Sequence, residues 1–245
     1  MVEFNLKLAD VLFHVSALYE STKKYCEGYL ADETDGDFID LTLTEELIKA
    51  EREVQIREGN YVADGANLAD EFLEPLALYR KAVEILIDYN TLMFHGSAIA
   101  VDGEVYVFTA LSGTGKSTHT SLWRRLFGDR AVMVNDDKPL ITVNESGVTV
   151  HGTPWNGKHK LGARISLPLK AICILERDKE NHIEKISAKA AYPMAYQQTY
   201  RTRNPKNLVK TLALIDKMTR SVGCYRLGCN MDPDAARVSF EGMQN

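Results

Sequence analysis

The chain is poor in cysteine. It has 4 in 245 residues, Cys26, Cys173, Cys224 and Cys229, and no two form a Cys-x-x-Cys pair. No histidine group completes a zinc set beside them, so the spacings of structural zinc sites and thiol redox motifs are absent. Cys224 and Cys229 are five apart, which puts them on opposite faces if that segment is a strand. All four read as structural thiols of a reducing compartment. Long apolar runs are also missing, and no uninterrupted stretch reaches membrane-spanning length. The first residues, Met-Val-Glu-Phe-Asn, lack the basic region and apolar core of a signal peptide. A cytoplasmic protein without a membrane partner is expected. There is no basic excess either: 29 Lys and Arg against 34 Asp and Glu give a net charge of −5. Nothing in that balance points to nucleic acid. Two basic clusters run against it, Lys158, His159, Lys160 and Arg164, then Arg201, Arg203, Lys206 and Lys210. Solvated surface is the plain role for such clusters; holding a phosphate or an acidic substrate is the sharper one. No internal repeat or low-complexity segment occurs. What remains is an ordinary globular composition, enough for one large domain or two small ones.

One stretch carries a concentrated signal, Val105–Asp137. An apolar run, Val105 to Phe108, enters the loop Ala110-Leu-Ser-Gly-Thr-Gly-Lys-Ser117, a Walker A pattern with Ala at its first position. A helix-like segment follows. A second apolar run, Ala131–Val134, then ends on Asn135-Asp136-Asp137. Each part has a physical role in holding a nucleoside triphosphate. Gly113 and Gly115 let backbone N–H groups turn inward around a phosphate. Lys116 adds a point charge for the terminal phosphates, and Ser117 offers a hydroxyl to Mg²⁺. The helix after the loop aims its positive end at the same anion. The acidic pair can hold the metal or take a proton from an attacking hydroxyl. The expected binding set is Ser112, Gly113, Thr114, Gly115, Lys116, Ser117 and Thr118, with ATP and Mg²⁺ as cofactors.

The rest supplies a frame. Residues 2–17 alternate and read as strand, as does Phe38–Thr42. Thr44 suits the cap of a helix over Glu45–Arg57. Pro75 suits the first turn of a helix whose apolar stripe is Leu76, Tyr79, Val83 and Leu86 or Ile87. Asp32–Asp37 and Gly59–Gly65 read as surface loops. Residues 1–90 thus form an N-terminal α/β region, and 91–245 a P-loop, kinase-like region packed as one compact unit. Thr91–Ala100 and Glu104–Thr109 flank Asp102-Gly103, the strongest short hairpin signal. The strand feeding the loop then has an antiparallel neighbour, pairing 94–101 with 104–110, unlike the mostly parallel sheet of ordinary P-loop enzymes. Further on, Pro139–Val150 reads as a hairpin around Asn144–Gly147, and His151–Lys160 as a loop. Ala171–Leu175 reads as a buried strand. Ala188–Tyr200 and Asn207–Thr219 read as helices, the first interrupted or started late by Pro193. Gly223–Cys229 reads as a strand, and Pro233 opens a last helix. The fold class is α/β, with mixed, largely antiparallel sheets around a P-loop and flanking helices.

Three pieces in order, His95-Gly96, Ser112-Gly-Thr-Gly-Lys-Ser117 and Val134-Asn-Asp-Asp137, resemble the HPr kinase/phosphorylase family. That family shares its fold with ATP-dependent phosphoenolpyruvate carboxykinases. The resemblance covers roughly Phe94 to Ile141. It implies His95 and Lys116 in the reaction, Asp136 as base and Asp137 at the metal beside Ser117, the order of the two aspartates staying open. It also leaves a homo-oligomer open, since HPr kinases form hexamers. The chain departs from the family downstream, where Gly152-Thr-Pro-Trp-Asn-Gly157 stands in place of a Glu-Ile-Arg-Gly-type signature. It is also too short for a full carboxykinase. It looks more like the small HPr-kinase-like proteins.

Other residues carry two readings each. His119 reads as structural. Trp155 is either a packing anchor or a contact for base or acceptor. Arg201 and Arg203 are solvated or clamp a phosphate. The expected function is a kinase that moves the γ-phosphoryl group of ATP to a serine-type hydroxyl of a peptide, protein or small molecule. A non-catalytic nucleotide-binding regulator is the alternative. Decarboxylation coupled to phosphoryl transfer, or phosphate-driven dephosphorylation, is disfavoured by the chain's length and the missing signature.

Overall fold

The alternating residues near the N-terminus fold as two strands, β1 (Val2–Leu8) and β2 (Val11–Ala17), where the pattern alone suggests one extended run. Ala9 and Asp10 turn the chain between them with φ of 47° and 66°. This left-handed pair does the work of an Asn-Gly turn with neither residue, so the usual signal is missing. The computed structural model describes residues 1–32, 36–59, 68–157 and 159–244. Half of the expected loop Asp32–Asp37 (residues 33–35), all but the first residue of the expected loop Gly59–Gly65, and Lys158 of the first basic cluster lie outside the described residues. The chain divides into two units, Met1–Leu86 and Ile87–Asn245.

In the first unit, α1 (Glu20–Tyr25) follows β2, and β3 (Ile39–Thr42) pairs parallel to β2. The helix α2 (Glu45–Arg57) starts at its expected cap, where Thr44 Oγ1 accepts from the Leu47 N–H at 3.4 Å. The helix α3 (Asp70–Leu86) corrects the placement of Pro75, which lies inside the helix and not in its first turn. Proline lacks the N–H that would bond the Glu71 carbonyl. Ser21 Oγ donates to that carbonyl instead, at 3.3 Å. Next to it Glu74 is fully buried, yet accepts from Leu18 N at 2.6 Å, Tyr19 N at 3.1 Å and Thr22 Oγ1 at 2.5 Å. The carboxylate thereby closes the start of α1, which has no side-chain cap of its own.

The second unit opens with β4 (Thr91–Met93), β5 (Ser97–Val101) and β6 (Glu104–Thr109). β5 and β6 pair antiparallel through Val101↔Glu104 and Ala98↔Val107, and Asp102 and Gly103 turn at φ 52° and 85°. The ladder stops at Ser97↔Phe108. The expected single strand over 91–100 is thus broken, and His95-Gly96 lies between two strands, not on one. After β6 come α4 (Lys116–Phe127), β7 (Ala131–Asn135), β8 (Leu140–Asn144) and β9 (Gly147–His151). Then β10 (Ser166–Arg177) runs much further than the apolar core of its sequence suggests, and β11 (His182–Lys185) follows unannounced. The helix α5 (Ala188–Gln198) passes through Pro193 without a break, correcting the expected interruption. Last come α6 (Pro205–Ser221), β12 (Gly223–Cys229) and α7 (Asp234–Gly242).

Among the described residues, nine strands form one mixed, largely antiparallel sheet, in the order β4-β8-β9-β10-β6-β5-β7, with β12 beside β10 and β11 beside β12. β6 is flanked by antiparallel β5 and parallel β10. Both faces are buried, and the period-2 alternation sorts their residues. Ala98, Ala100, Val105 and Val107 join Ala195 of α5 and Leu214, Ile215 and Met218 of α6. Ile99, Val101, Tyr106 and Phe108 join Leu122 and Trp123 of α4 and Ala235 and Ala236 of α7. Two helix layers therefore clamp β6, and its carboxyl end emerges from a dry core. Among the described residues, no helix is long and apolar enough to cross a membrane.

His119 is structural, as expected. Its Nε2 lies 3.0 Å from Ser239 Oγ, to which Trp123 Nε1 donates at 2.8 Å. Burial pushes its pKa from 6.5 down to about 4. Between those values the unfolded chain binds a proton that the folded protein refuses. Stability is therefore complete above the unfolded value and falls as pH drops, by about 3 kcal/mol in all. Urea unfolding at pH 7 and at about pH 4.5 should show a steeper acid loss in the parent than in His119→Gln. Equal losses would remove His119 as the source.

Candidate active site

The loop between β6 and α4 owes its shape to two glycines. Gly113 has φ 78° and Gly115 φ 122°, values that a side chain rarely tolerates. Gly115 is the N-cap and brings no side-chain acceptor, and the first intrahelical bond runs from His119 N to Gly115 O at 2.9 Å. The first-turn N–H groups of Lys116, Ser117 and Thr118 thus have no partner within the helix. Ser112, Gly113, Ser117 and Thr118 are exposed, and Lys116 is half-buried. Lys116 Nζ donates to the Ala110 carbonyl at 3.4 Å. Burial pulls its pKa below the usual lysine value, and the charges of Asp137 and Asp136 oppose that pull. A desolvated ammonium whose hydrogen-bond partner is one carbonyl, beside unspent N–H groups, suits a phosphate chain.

The acidic pair follows β7, which pairs with β5 through Ala98↔Asn135. Asn135 is fully buried and organises the turn. Its Oδ1 accepts from Asp137 N at 2.8 Å and Lys138 N at 2.7 Å. Its Nδ2 donates to Thr153 Oγ1 at 2.9 Å and Thr153 O at 3.2 Å. Asn135→Ala would leave several of these groups unpaired, and a loss of about 2–3 kcal/mol is expected. Urea unfolding checks the value, and an unchanged midpoint would reject the role.

The two aspartates then diverge. Asp136 is 6% exposed, and its Oδ1 accepts from Ser97 Oγ at 2.7 Å. Ser97, its own proton spent on Asp136, accepts from Thr120 Oγ1 at 3.0 Å, and Thr120 Oγ1 lies 3.3 Å from the carbonyls of both Lys116 and Ser117. A hydroxyl relay thus ties Asp136 to the first turn of α4. A Cβ on Gly157 would stand 3.3 Å from Asp136 Oδ2, so the loop after β9 lies tightly over this carboxylate. Asp137 is more open. Its Oδ1 is 3.4 Å from His95 Nε2, and its Oδ2 is 3.3 Å from Lys138 Nζ. His95 is held by backbone: its N–H donates to Gln198 O at 2.7 Å, and its carbonyl accepts from Thr109 Oγ1 at 3.1 Å. Burial lowers its pKa, the charge of Lys116 lowers it further, and Asp137 opposes both. The balance favours the neutral imidazole. Gly96 donates to Asp137 O at 3.1 Å, and a Cβ there would meet Phe108 O at 3.1 Å. This close approach explains the glycine after His95.

The structure thus gathers Lys116, His95, Asp136 and Asp137 at the carboxyl ends of β6 and β7, beside the glycine loop. Among the described residues, no three His, Cys, Asp or Glu side chains form a ready metal cluster. Mg²⁺ asks for less: one or two protein ligands suffice when phosphates and water complete its shell. Ser117 and Asp137 fit that need. Trp155 is 1% exposed, the burial of a packing anchor. Arg201 and Arg203 are not part of this cluster; they stay exposed and lack a carboxylate within 4.0 Å among the described residues. Sequence reasoning missed Ser97, Thr120, Asn135 and Gly157. Asn135 alone had a cue, its place in the Val-Asn-Asp-Asp run.

No protein family description matches the chain, and none of the curated proteins matches it. Among solved structures, it is similar to the Hpr(Ser) kinase/phosphatase from Coxiella burnetii. The identity is 9%, the TM-score 0.34, and the match covers 62% of this chain and 99% of that one.

Proposed function

We propose that the chain is an ATP- and Mg²⁺-dependent kinase acting on a serine-type hydroxyl of a peptide, protein or small molecule. One observation carries this reading. A glycine loop with unspent N–H groups shares a corner of the sheet with a desolvated lysine and two carboxylates that its charge feels. Mg-ATP, when bound, supplies the phosphoryl group. The amides of the loop and Lys116 hold the phosphates, Ser117 and Asp137 hold the metal, and Asp136 takes the proton of the hydroxyl. His95, neutral and next to Asp137, donates or accepts a hydrogen bond at the transferred group. A cytoplasmic setting belongs to the same proposal and is in keeping with four free thiols.

A second reading, a nucleotide-binding regulator without chemistry, is favoured by one fact: Asp136 is nearly buried and spends one oxygen on Ser97. Incubation with γ-labelled ATP, Mg²⁺ and hydroxyl-bearing peptides separates the two. Label on an acceptor supports the kinase. Tight nucleotide binding without label on any acceptor or release of phosphate supports the regulator.

A further inference from the structure

Arg177 ends β10, whose parallel register with β6 closes on Ile174↔Thr109. It stands three residues past that pair and so runs level with the glycine loop. Its Nη2 donates to Gly113 O at 2.5 Å, and its Nε reaches Thr114 O at 3.5 Å. No carboxylate lies within 4.0 Å of it among the described residues.

We infer that Arg177 is a positioning residue that sets the peptide planes of the phosphate loop. The inference rests on the proposed nucleotide site. A trans peptide points its C=O and N–H in opposite directions. Drawing the Gly113 carbonyl toward β10 turns the Thr114 N–H inward, where it closes on Leu111 O at 3.3 Å. Drawing the Thr114 carbonyl the same way turns the Gly115 N–H away from Arg177, and among the described residues that N–H meets no acceptor. One guanidinium thereby fixes two successive planes and leaves a donor aimed off the loop's other side. The fork of Arg suits the task, because its N–H groups diverge in one plane, whereas an ammonium offers a point charge. Gly113 and Gly115, at φ of 78° and 122°, bring no side chains to hold these peptide planes, so the hold comes from outside the loop.

Two measurements test this. In the ligand-free protein, hydrogen exchange of the peptide spanning 109–118 should quicken in Arg177→Ala, while β5 and α7 exchange as in the parent. Arg177→Lys should restore exchange only in part. Binding of Mg-ATP and of inorganic triphosphate should weaken together in Arg177→Ala, by roughly tenfold, the change that one lost charge-assisted hydrogen bond brings. Unchanged exchange in the ligand-free variant would overturn the inference. So would full rescue by lysine, which would make Arg177 a mere positive charge. If the parent itself binds no nucleotide, the proposed function fails. The exchange result still decides whether Arg177 holds the loop.

Discussion

Lys116→Ala is expected to bind Mg-ATP roughly 10²- to 10³-fold more weakly than the parent, the cost of removing one partner of a desolvated charge contact. The fold should survive. Burial already works against the Lys116 ammonium, as its lowered pKa shows, so the native state gains little from its charge. Its hydrogen bond is a long one to Ala110 O, at 3.4 Å. That carbonyl directly follows β6, a strand clamped between two helix layers, and the clamp does not depend on the side chain. Lys116→Met separates charge from bulk, because it keeps most of the stem. Calorimetry with Mg-ATP and urea unfolding on both variants supply the check. If Lys116→Met binds like the parent, the ammonium does not face the phosphates and the loop is a glycine turn with no bound anion. If both variants unfold early, Lys116 is a packing residue of α4.

What could be seen in the sequence follows from the range of each interaction. Asp102-Gly103 fixes its hairpin within four residues, and Thr44 caps α2 through Leu47 N, three residues on. The loop glycines act at their own φ angles. Such local chemistry reads directly from the chain. The partners of the site do not. Ser97 reaches Asp136 across 39 positions, and Arg177 reaches Gly113 across 64. Neither residue carries a spacing that marks it, because sheet order brings each to its partner. Strand order placed β10 against β6, and no local pattern announces a parallel neighbour. Local rules also failed where tertiary contacts supplied a substitute. Pro75 and Pro193 sit inside helices, and the carbonyl freed by Pro75 takes a donor from another element. Ala9-Asp10 turns without glycine because β1 and β2 pair along their whole length and hold it.

Asp136→Asn and Asp137→Asn are expected to fail in different ways, and the difference decides between kinase and regulator. Asn keeps the size of Asp and can still accept from Ser97 Oγ, so the relay to Thr120 and the first turn of α4 should persist. What it loses is the ability to take a proton. Asp136→Asn should bind Mg-ATP as the parent does and transfer its phosphate slower by roughly 10²–10⁴-fold, the usual share of a general base. Asp137 faces His95 and Lys138 and is the more open carboxylate. Its removal should instead raise the Mg²⁺ concentration needed for half-maximal binding or turnover. The single-turnover rate at saturating Mg²⁺ should change far less. Magnesium titrations on each variant, read both as nucleotide binding and as transfer, distinguish the roles. Exchanged phenotypes would put the metal at Asp136 and the proton at Asp137, which His95 could then assist. Full activity in Asp136→Asn would leave its carboxylate as the lock that Ser97 holds. Loss of magnesium dependence confined to binding, in a protein that labels no acceptor, would make the pair the sensor of a nucleotide-binding regulator.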